Sequence, residues 1–412
     1  LLKKATHCQP LPDHVGERSN MSSVTERDVI VVGAGPSGST AAAALAQKGW
    51  DVLLLDRHQF PRDKTCGDAV PAGAIELLWR LGMREKIDKA VARGELYPLD
   101  GMLLVSPRGH ELHAKFDHGQ QGADSYVAPR IYFDALIQEH AVASGAEFCQ
   151  AQAKEPMVEN GRVVGVRAQI NGSVKEMRAR LVVGADGVTS VITRNLRPKN
   201  EQHVDGHRAV ALRAYIEDIE ELPKEVEFYL YKDILPGYAW IFPIGKNKAN
   251  IGLGMRLDHF RKRKYNLEKM LKEFLAMPAI KKRLLRGGQL RDVATWQLNF
   301  GSQPHLQHVF DGAILVGDAA GFINPLTGGG IHNGLISAEL AAQVADDALK
   351  TNTITRAKMQ VYESLCHEQM WTSMRNSFWM QRTFMRFPIL VDFLVRRMKE
   401  NSALAQTFLT KL

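Results

Sequence analysis

Asp28-Val29-Ile30-Val31-Val32-Gly33-Ala34-Gly35-Pro36-Ser37-Gly38 runs an apolar β-type segment straight into a GxGxxG turn, followed by an Ala-rich helical segment and Val52-Leu53-Leu54-Leu55-Asp56. That order is the order of a nucleotide-binding βαβ unit. Gly33 permits the tight turn, Gly35 lets the backbone approach a pyrophosphate, and Gly38 lets the helix pack closely on the strand. The helix N-terminus, opened by Pro36 and Ser37, offers unpaired N–H groups to phosphates. Asp56 closes the second strand where a carboxylate can accept a hydrogen bond from a ribose hydroxyl. Glycine turns of this kind also occur alone, but here strand, turn, helix, strand and terminal acid arrive in sequence, and together they predict a dinucleotide site.

Two further strands end in similar turns. Ala313-Ile314-Leu315-Val316-Gly317-Asp318-Ala319-Ala320-Gly321 is followed by Pro325-Leu326-Thr327-Gly328-Gly329-Gly330 and an Ala-rich helix from about Ile331 to Leu349. Leu181-Val182-Val183-Gly184-Ala185-Asp186-Gly187 lies between the two ends of the chain, and Arg130 sits in Pro129-Arg130-Ile131-Tyr132-Phe133-Asp134-Ala135-Leu136. From Asp28 to about Leu349 the chain resembles the flavoprotein hydroxylase superfamily, whose GxGxxG, DG and GD motifs occur in this order. The resemblance implies FAD. Gly33, Gly35 and Gly38 would then hold the pyrophosphate and Asp56, with Arg57 beside it, the adenosine ribose. Asp318, after Gly317, would bind the ribityl chain or its phosphate neighbourhood, and Arg130 would lie beside the cofactor. Gly328, Gly329, Gly330 and Ile331 would aim a helix N-terminus at the flavin N1–C2 carbonyl, where a partial positive charge stabilises the anion of the reduced ring. For Asp186-Gly187 the resemblance implies phosphate and loop contacts, although Asp-Gly is also a common turn dipeptide; Asp318 can likewise be read as a cap or turn carboxylate.

The substrate side is read from the segments between these motifs. Met102 to Phe116 reads as a hairpin around Pro107-Arg108-Gly109, and Ala209 to Met255 as several strands with turns at Leu235-Pro236-Gly237 and Gly245-Lys246-Asn247-Lys248, together a mostly antiparallel sheet over the cofactor. In Pro236-Gly237-Tyr238-Ala239-Trp240-Ile241-Phe242-Pro243, followed by Ala249-Asn250-Ile251-Gly252-Leu253-Gly254, strand alternation puts Tyr238, Trp240 and Phe242 on one face, as an aromatic wall or as core. The stretch resembles the Tyr-x-Trp-x-Phe-Pro signature of the geranylgeranyl reductase family. That family also carries Cys-Gly in the loop after the second strand, matched by Pro61-Arg62-Asp63-Lys64-Thr65-Cys66-Gly67-Asp68. The resemblance implies reduction of polyprenyl double bonds by hydride from reduced flavin, NAD(P)H as the reductant, and a substrate site at Tyr238, Trp240, Phe242 and Pro243. Cys66, next to Gly67, is the candidate catalytic residue, as proton donor or gate beside the flavin; the alternative is a small residue that lets the loop turn closely over the cofactor. Arg62 is expected to face solvent or an FAD phosphate, and Lys64 is left open.

The expected fold is α/β, a Rossmann-like FAD-binding domain with an antiparallel substrate domain and a C-terminal helical segment. FAD-binding segments are placed at 25–100, 129–200 and 301–350, the substrate hairpin at 101–128, the substrate domain at 201–300 and helices at 351–412. Residues 1–24 are expected to be a disordered extension with a native start at Met21. At 412 residues a two-domain enzyme is the ordinary expectation. Cys8, Cys66, Cys149 and Cys366 lack CxxC or metal-ligand spacing, which favours a reducing, cytoplasmic compartment and no metal. No run of about eighteen uncharged apolar residues suggests a spanning helix.

Charge is uneven. Arg261 to Arg291 holds eleven Lys/Arg and two Glu, against a whole-chain net charge of +8, and Leu267, Met270, Leu271, Phe274 and Leu275 recur in it at helical spacing. From Arg375 onward Trp379, Phe384, Phe387, Ile389, Leu390, Phe393 and Leu394 alternate with arginines. These segments read as ordinary helices with solvated faces, or as attraction to an anionic membrane surface or a phosphorylated substrate. No nucleic-acid recognition motif accompanies the charge, and nothing specifies an oligomeric state. Two other functional classes share these motifs: a flavin monooxygenase or halogenase of the same fold, and a non-catalytic lipid-binding flavoprotein. Halogenases often show Trp-x-Trp-x-Ile-Pro, from which Tyr238 and Phe242 depart.

Overall fold

The computed structural model describes residues 26–116, 119, 121–220, 222–383 and 386–401. The expected N-terminal extension and Phe384 lie outside the described residues. The apolar run Arg27–Val32 forms the centre of a mainly parallel sheet, flanked by Val52–Asp56 on one side and by the distal half of Ser173–Gly184 on the other. Glu147–Gln150 and Ala313–Leu315 extend the sheet outward, again parallel, and Val309–Phe310 closes the second edge antiparallel. Ser173–Gly184 changes role along its length: its first half pairs antiparallel with Arg162–Ile170, which in turn pairs with Gln152–Glu159.

Helix Pro36–Ala46 crosses this sheet between helices Arg130–Ala143 and Ile331–Lys350. Its run Ala41-Ala42-Ala43-Ala44 is buried, and methyl-sized side chains are what let three helices and a sheet approach one another here. At Gly38 even a methyl is too much, because a Cβ would overlap the Gly33 carbonyl oxygen.

The second large sheet has seven strands, ordered Leu284–Asn299, Arg208–Ile219, Lys248–Arg256, Tyr238–Gly245, Glu225–Tyr229, Gly101–Val105 and Glu111–Lys115. All its pairings are antiparallel except Glu225–Tyr229 with Gly101–Val105. Alternation divides its faces: Ala239 and Ile241 join Leu212, Ile251 and Leu253 in a core capped by helix Leu267–Ala276, whereas Trp240 and Phe242 cluster with Met102, Val226 and Leu99 on the opposite side. A small third sheet, Ala69–Val70, Ser125–Val127 and Tyr97–Leu99, lies between the two.

The Arg261–Arg291 segment is not one basic helix, which corrects the sequence reading. It breaks into Leu257–Arg263, Leu267–Ala276 and Pro278–Lys281, and from Leu284 it is the edge strand of the seven-stranded sheet. Lys264 in left-handed conformation ends the first helix and Pro278 starts the third. The stripe Leu267, Met270, Leu271 and Phe274 is buried against the sheet, so periodicity located the packing face while the charges only marked the solvated one. Helix Pro388–Glu400 docks by Val391, Val395 and Met398 on Leu112, Leu230 and Leu235, and its Asp392 accepts hydrogen bonds from the Ser106 hydroxyl and the Arg108 N–H.

Gly38→Val is expected to lose more than the roughly 1–3 kcal/mol typical of overpacking, because the obstructing atom is backbone rather than a movable side chain. Urea unfolding with no change in midpoint would contradict this packing.

Candidate functional site

The parallel strands end at one edge, where open α/β sheets bind ligands. Between that edge and the aromatic face of the seven-stranded sheet lies a cavity of about 1010 Å³. The two sides are joined by the loop Arg62–Asp68: Arg62 stands next to Gly35 and Asp56, and Gly67 lies against Phe242 and Trp240.

At the glycine-rich side each glycine has a separate reason. Gly33 has a φ of 102° and its missing Cβ would overlap the Ala185 carbonyl. Gly35 has no such neighbour; a Cβ there would meet only Arg62 Nη2 at 3.7 Å and would otherwise enter the cavity. Ser37 wedges its hydroxyl between Gly317 and Gly334, locking the first turn of the Pro36 helix to the Gly317-Asp318 turn. Asp56 accepts the Ala34 N–H at 2.9 Å and the His58 N–H at 2.9 Å, while Arg57 is exposed at the rim.

Arg130 is buried and grips Asp134 through two bonds of 2.5 and 2.7 Å; Arg62 binds the same carboxylate at 2.7 Å. Arg62 is thus held by Asp134 at the border of the cavity. Two guanidiniums share the Asp134 carboxylate, with Asp56 4.0 Å from Arg62, and although burial opposes the charge on Arg130, Asp134 and Cys66 beside it hold its pKa up. Lys64 turns into the cavity, 3.8 Å from Asp318 and 5.0 Å from the centre of the Trp296 ring; burial lowers its pKa and Asp318 opposes that shift.

Asp186 braces the start of a helix whose N-cap is Ser190. Its oxygens accept from the Ser190 hydroxyl and from the Val191 N–H at 2.7 Å, so the side chain is engaged by the helix Val191–Leu196, although it and Gly187 also border the cavity. Asp318 does not cap the long helix. That helix, Ile331–Lys350, begins at Gly330 with no side-chain cap, and Gly328, Gly329, Gly330 and Ile331 all border the cavity. Its first N–H groups are thus directed at whatever the cavity holds.

The aromatic wall is continuous. Phe228 meets Tyr238 and Phe242 edge-on at 5.3 and 5.2 Å between ring centres, and Tyr238–Trp240 and Trp240–Phe242 follow at 6.0 and 6.1 Å. Pro243, one residue beyond Phe242, continues the same strand opposite Ala249. Space for the rings is made by the neighbouring strand, where Gly252 pairs with Trp240 and Gly254 with Tyr238, and a Cβ at Gly252 would overlap the indole. Tyr238 donates its hydroxyl hydrogen bond to the Thr327 carbonyl, joining the wall to the Gly328–Gly330 turn.

Cys66 is half-buried at the cavity, and its thiol accepts the Asp68 N–H at 3.3 Å. Sequence reasoning missed the polar cluster beneath it: Asp68, Asn250, Tyr215 and Arg213. Asn250 donates to the Cys66 carbonyl and to Asp68, both at 2.8 Å, and accepts the Trp240 indole N–H at 2.9 Å. Tyr215 donates to Asp68 at 2.7 Å, and Arg213, fully buried over the Tyr215 ring, binds Asp63 at 2.5 Å. The only signal in the sequence was a polar Asn250 amid apolar strand residues.

A profile of the FAD-binding domain family matches residues 26–377. The fold and site define a flavoprotein. Digeranylgeranylglycerophospholipid reductase 1 of Methanopyrus kandleri is 34% identical over 84% of this chain and 87% of its own, and reductase 2 of the same organism is 32% identical over 84% and 83%. A geranylgeranyl bacteriochlorophyll reductase-like protein of Thermoplasma acidophilum superposes with a TM-score of 0.80 at 27% identity, covering 91% of this chain and 92% of that one. A flavin-dependent brominase shares the fold, with a TM-score of 0.77 at 21% identity over 94% and 93%. The chain belongs to the geranylgeranyl reductase family of FAD-dependent oxidoreductases.

Gly35→Val is expected to fold, with an unchanged circular dichroism spectrum, and to purify without yellow colour, since its branched side chain projects into the cavity. A Gly35→Val protein with full flavin content would contradict the placement of the cofactor here.

Proposed function

We propose that the enzyme reduces carbon–carbon double bonds of a polyprenyl, geranylgeranyl-type lipid with NAD(P)H as electron donor. The observation that carries this reading is the division of one cavity into a phosphate-compatible side and an aromatic side. The residues fit FAD: Gly35 leaves room for a pyrophosphate, Arg62 and Arg130 supply positive charge beside it, and Asp56 keeps lone pairs for a ribose hydroxyl. The uncapped N-terminus at Gly330 and Ile331 favours negative charge on the flavin ring, with Lys64 and Asp318 alongside. When bound, FAD supplies a hydride equivalent to the substrate.

The protein's own contribution is to bind and to exclude water. Tyr238, Trp240, Phe242 and Phe228 form a slot that suits an apolar chain, and their ring faces stabilise positive charge developing on an alkene carbon. The names of the Methanopyrus relatives support a glycerophospholipid bearing two geranylgeranyl chains as the substrate class.

Peripheral membrane attachment is part of the proposal. Trp379, Phe387, Ile389 and Phe393 are exposed on the C-terminal helices, among Arg386, Arg396 and Arg397. Among the described residues no helix is long and apolar enough to cross a membrane. Replacing Ile389 and Phe393 by Ser is expected to reduce sedimentation with anionic vesicles at least several-fold while flavin content stays constant; unchanged sedimentation would rule out this surface.

Two measurements on turnover test the main reading. Without oxygen the enzyme is expected to add two mass units per double bond, whereas strict oxygen dependence with insertion of oxygen or halide would establish a monooxygenase or halogenase. Trp240→Ala is expected to slow prenyl reduction far more than flavin reduction. Equal loss in both would identify the indole as a core element, worth about 3–5 kcal/mol when truncated.

A further inference from the structure

The aromatic wall and the Arg62–Asp68 loop are tied together by one buried side chain. Asn250 has no exposed surface and sits between the apolar strand residues Ala249 and Ile251. Its amide group donates both hydrogens to the loop, to the Cys66 carbonyl and to Asp68 Oδ2, each at 2.8 Å, while its oxygen accepts the Trp240 indole N–H at 2.9 Å. A polar side chain in that place costs desolvation, which these three bonds offset. An ionised aspartate would accept from the indole and donate nothing to the loop, and an apolar residue would do neither.

Both partners have little other guidance. The six-membered part of the indole lies over Gly252, where a Cβ would overlap it, and the Nε1 side faces Gly67, whose missing Cβ would stand 3.8 Å from Nε1 and 3.2 Å from the Phe242 ring. Glycine on both sides leaves room for the ring to tilt, so its orientation is set by the hydrogen bond to Asn250. On the loop side Asp68 holds a left-handed conformation, φ 65°, that is kept in place by Asn250, the Tyr215 hydroxyl and the Ala128 N–H on its carbonyl.

We propose that Asn250 is a positioning residue of the reduction. It makes the Trp240 indole and the Cys66-Gly67 turn one rigid unit, and so fixes how a prenyl double bond on the aromatic wall is presented to the phosphate-compatible side of the cavity. The proposal rests on the alkene-reductase reading. Apolar contacts that bind the chain are non-directional and survive a tilted ring, whereas the alignment of reacting atoms does not. Loss of Asn250 therefore falls on kcat rather than on KM.

The test has two arms and two substitutions. Asn250→Leu removes the acceptor and both donors at similar volume, and Trp240→Phe keeps a ring in the wall without the indole N–H. The first arm needs no turnover: in isotope-labelled, flavin-loaded full chain, the Trp240 indole N–H signal, identified by its loss in Trp240→Phe, should exchange slowly with deuterated water. In Asn250→Leu it should exchange at least roughly tenfold faster. In the second arm a geranylgeranylated glycerophospholipid in detergent micelles is reduced anaerobically with dithionite as the electron source. Asn250→Leu should keep KM within about twofold and lower kcat about tenfold or more, toward the roughly 10²-fold that an ångström of misplacement costs. In the Trp240→Phe background the same substitution should cost several-fold less, because the bond it breaks is already gone. A fast-exchanging wild-type indole, a KM rise at constant kcat, or an equal Asn250→Leu factor in both backgrounds overturns the proposal. Should Asn250→Leu fail to fold, Trp240→Phe alone decides, since an unchanged kcat there overturns it too. A wild-type protein with a slowly exchanging indole that reduces no prenyl double bond locates the failure in the reductase reading, and the proposal falls with it.

Discussion

Three strand ends converge on Gly33 more closely than any side chain would allow. Its N–H donates to Leu55 at 2.7 Å, Ala185 donates to Val32 at 2.8 Å, and the Ala185 carbonyl occupies the position of a Cβ. Because Gly38 in turn sits on the Gly33 carbonyl, backbone contact fixes the start of the first helix against the sheet, in addition to the packing of its alanines. The N–H groups of that helix, the Asp56 carboxylate and the Asp186 carboxylate are therefore all held within one rigid edge. Gly35 is the exception in this crowded turn, and its open side is what leaves the edge able to admit a ligand.

The loop from Arg62 to Asp68 converts that edge into an enzyme site. One end carries charge: Arg62 and Arg130 share Asp134, and Lys64 meets Asp318. The other end lies on the aromatic strand, pinned by Asn250 to both the Cys66 carbonyl and Asp68. At about 4 Å a charge pair is worth about 1 kcal/mol in water and several times that at the lower effective dielectric near a protein interior. The same loop therefore places strong electrostatics beside the phosphate side and an apolar slot a few residues away. On the proposed reading, a lipid with a long chain and a cofactor with two phosphates make opposite demands on solvent, and this division would meet both.

Much of this was legible in the sequence because the signals were local. The GxGxxG turn, the strands ending in Asp56, Gly184 and Leu315, and the alternation of Tyr238, Trp240 and Phe242 each occupy a few consecutive residues whose period or glycines fix their geometry. Charge density was a poorer guide: the basic run from Arg261 spans three short helices and the start of a strand, because net charge marks exposure and carries no periodicity. Asp186 illustrates a different limit, since its carboxylate is engaged by the Ser190 N-cap and the Val191 N–H whatever else it borders. The cluster of Asp68, Tyr215 and Asn250 was invisible because its members are about 150 and 180 residues apart in the chain and meet only through sheet register. Gly252 and Gly254 were visible but uninterpretable until the register placed them opposite Trp240 and Tyr238.

The central claim is that one cavity holds the flavin and the prenyl chain on opposite sides of the Arg62–Asp68 loop. A crystal structure with FAD and a geranylgeranylated glycerophospholipid tests it most directly. The account predicts the pyrophosphate at Gly35 and a chain lying along Tyr238, Trp240 and Phe242 with a double bond beside Cys66. A chain bound on another surface, with the aromatic wall closed against protein, would contradict it.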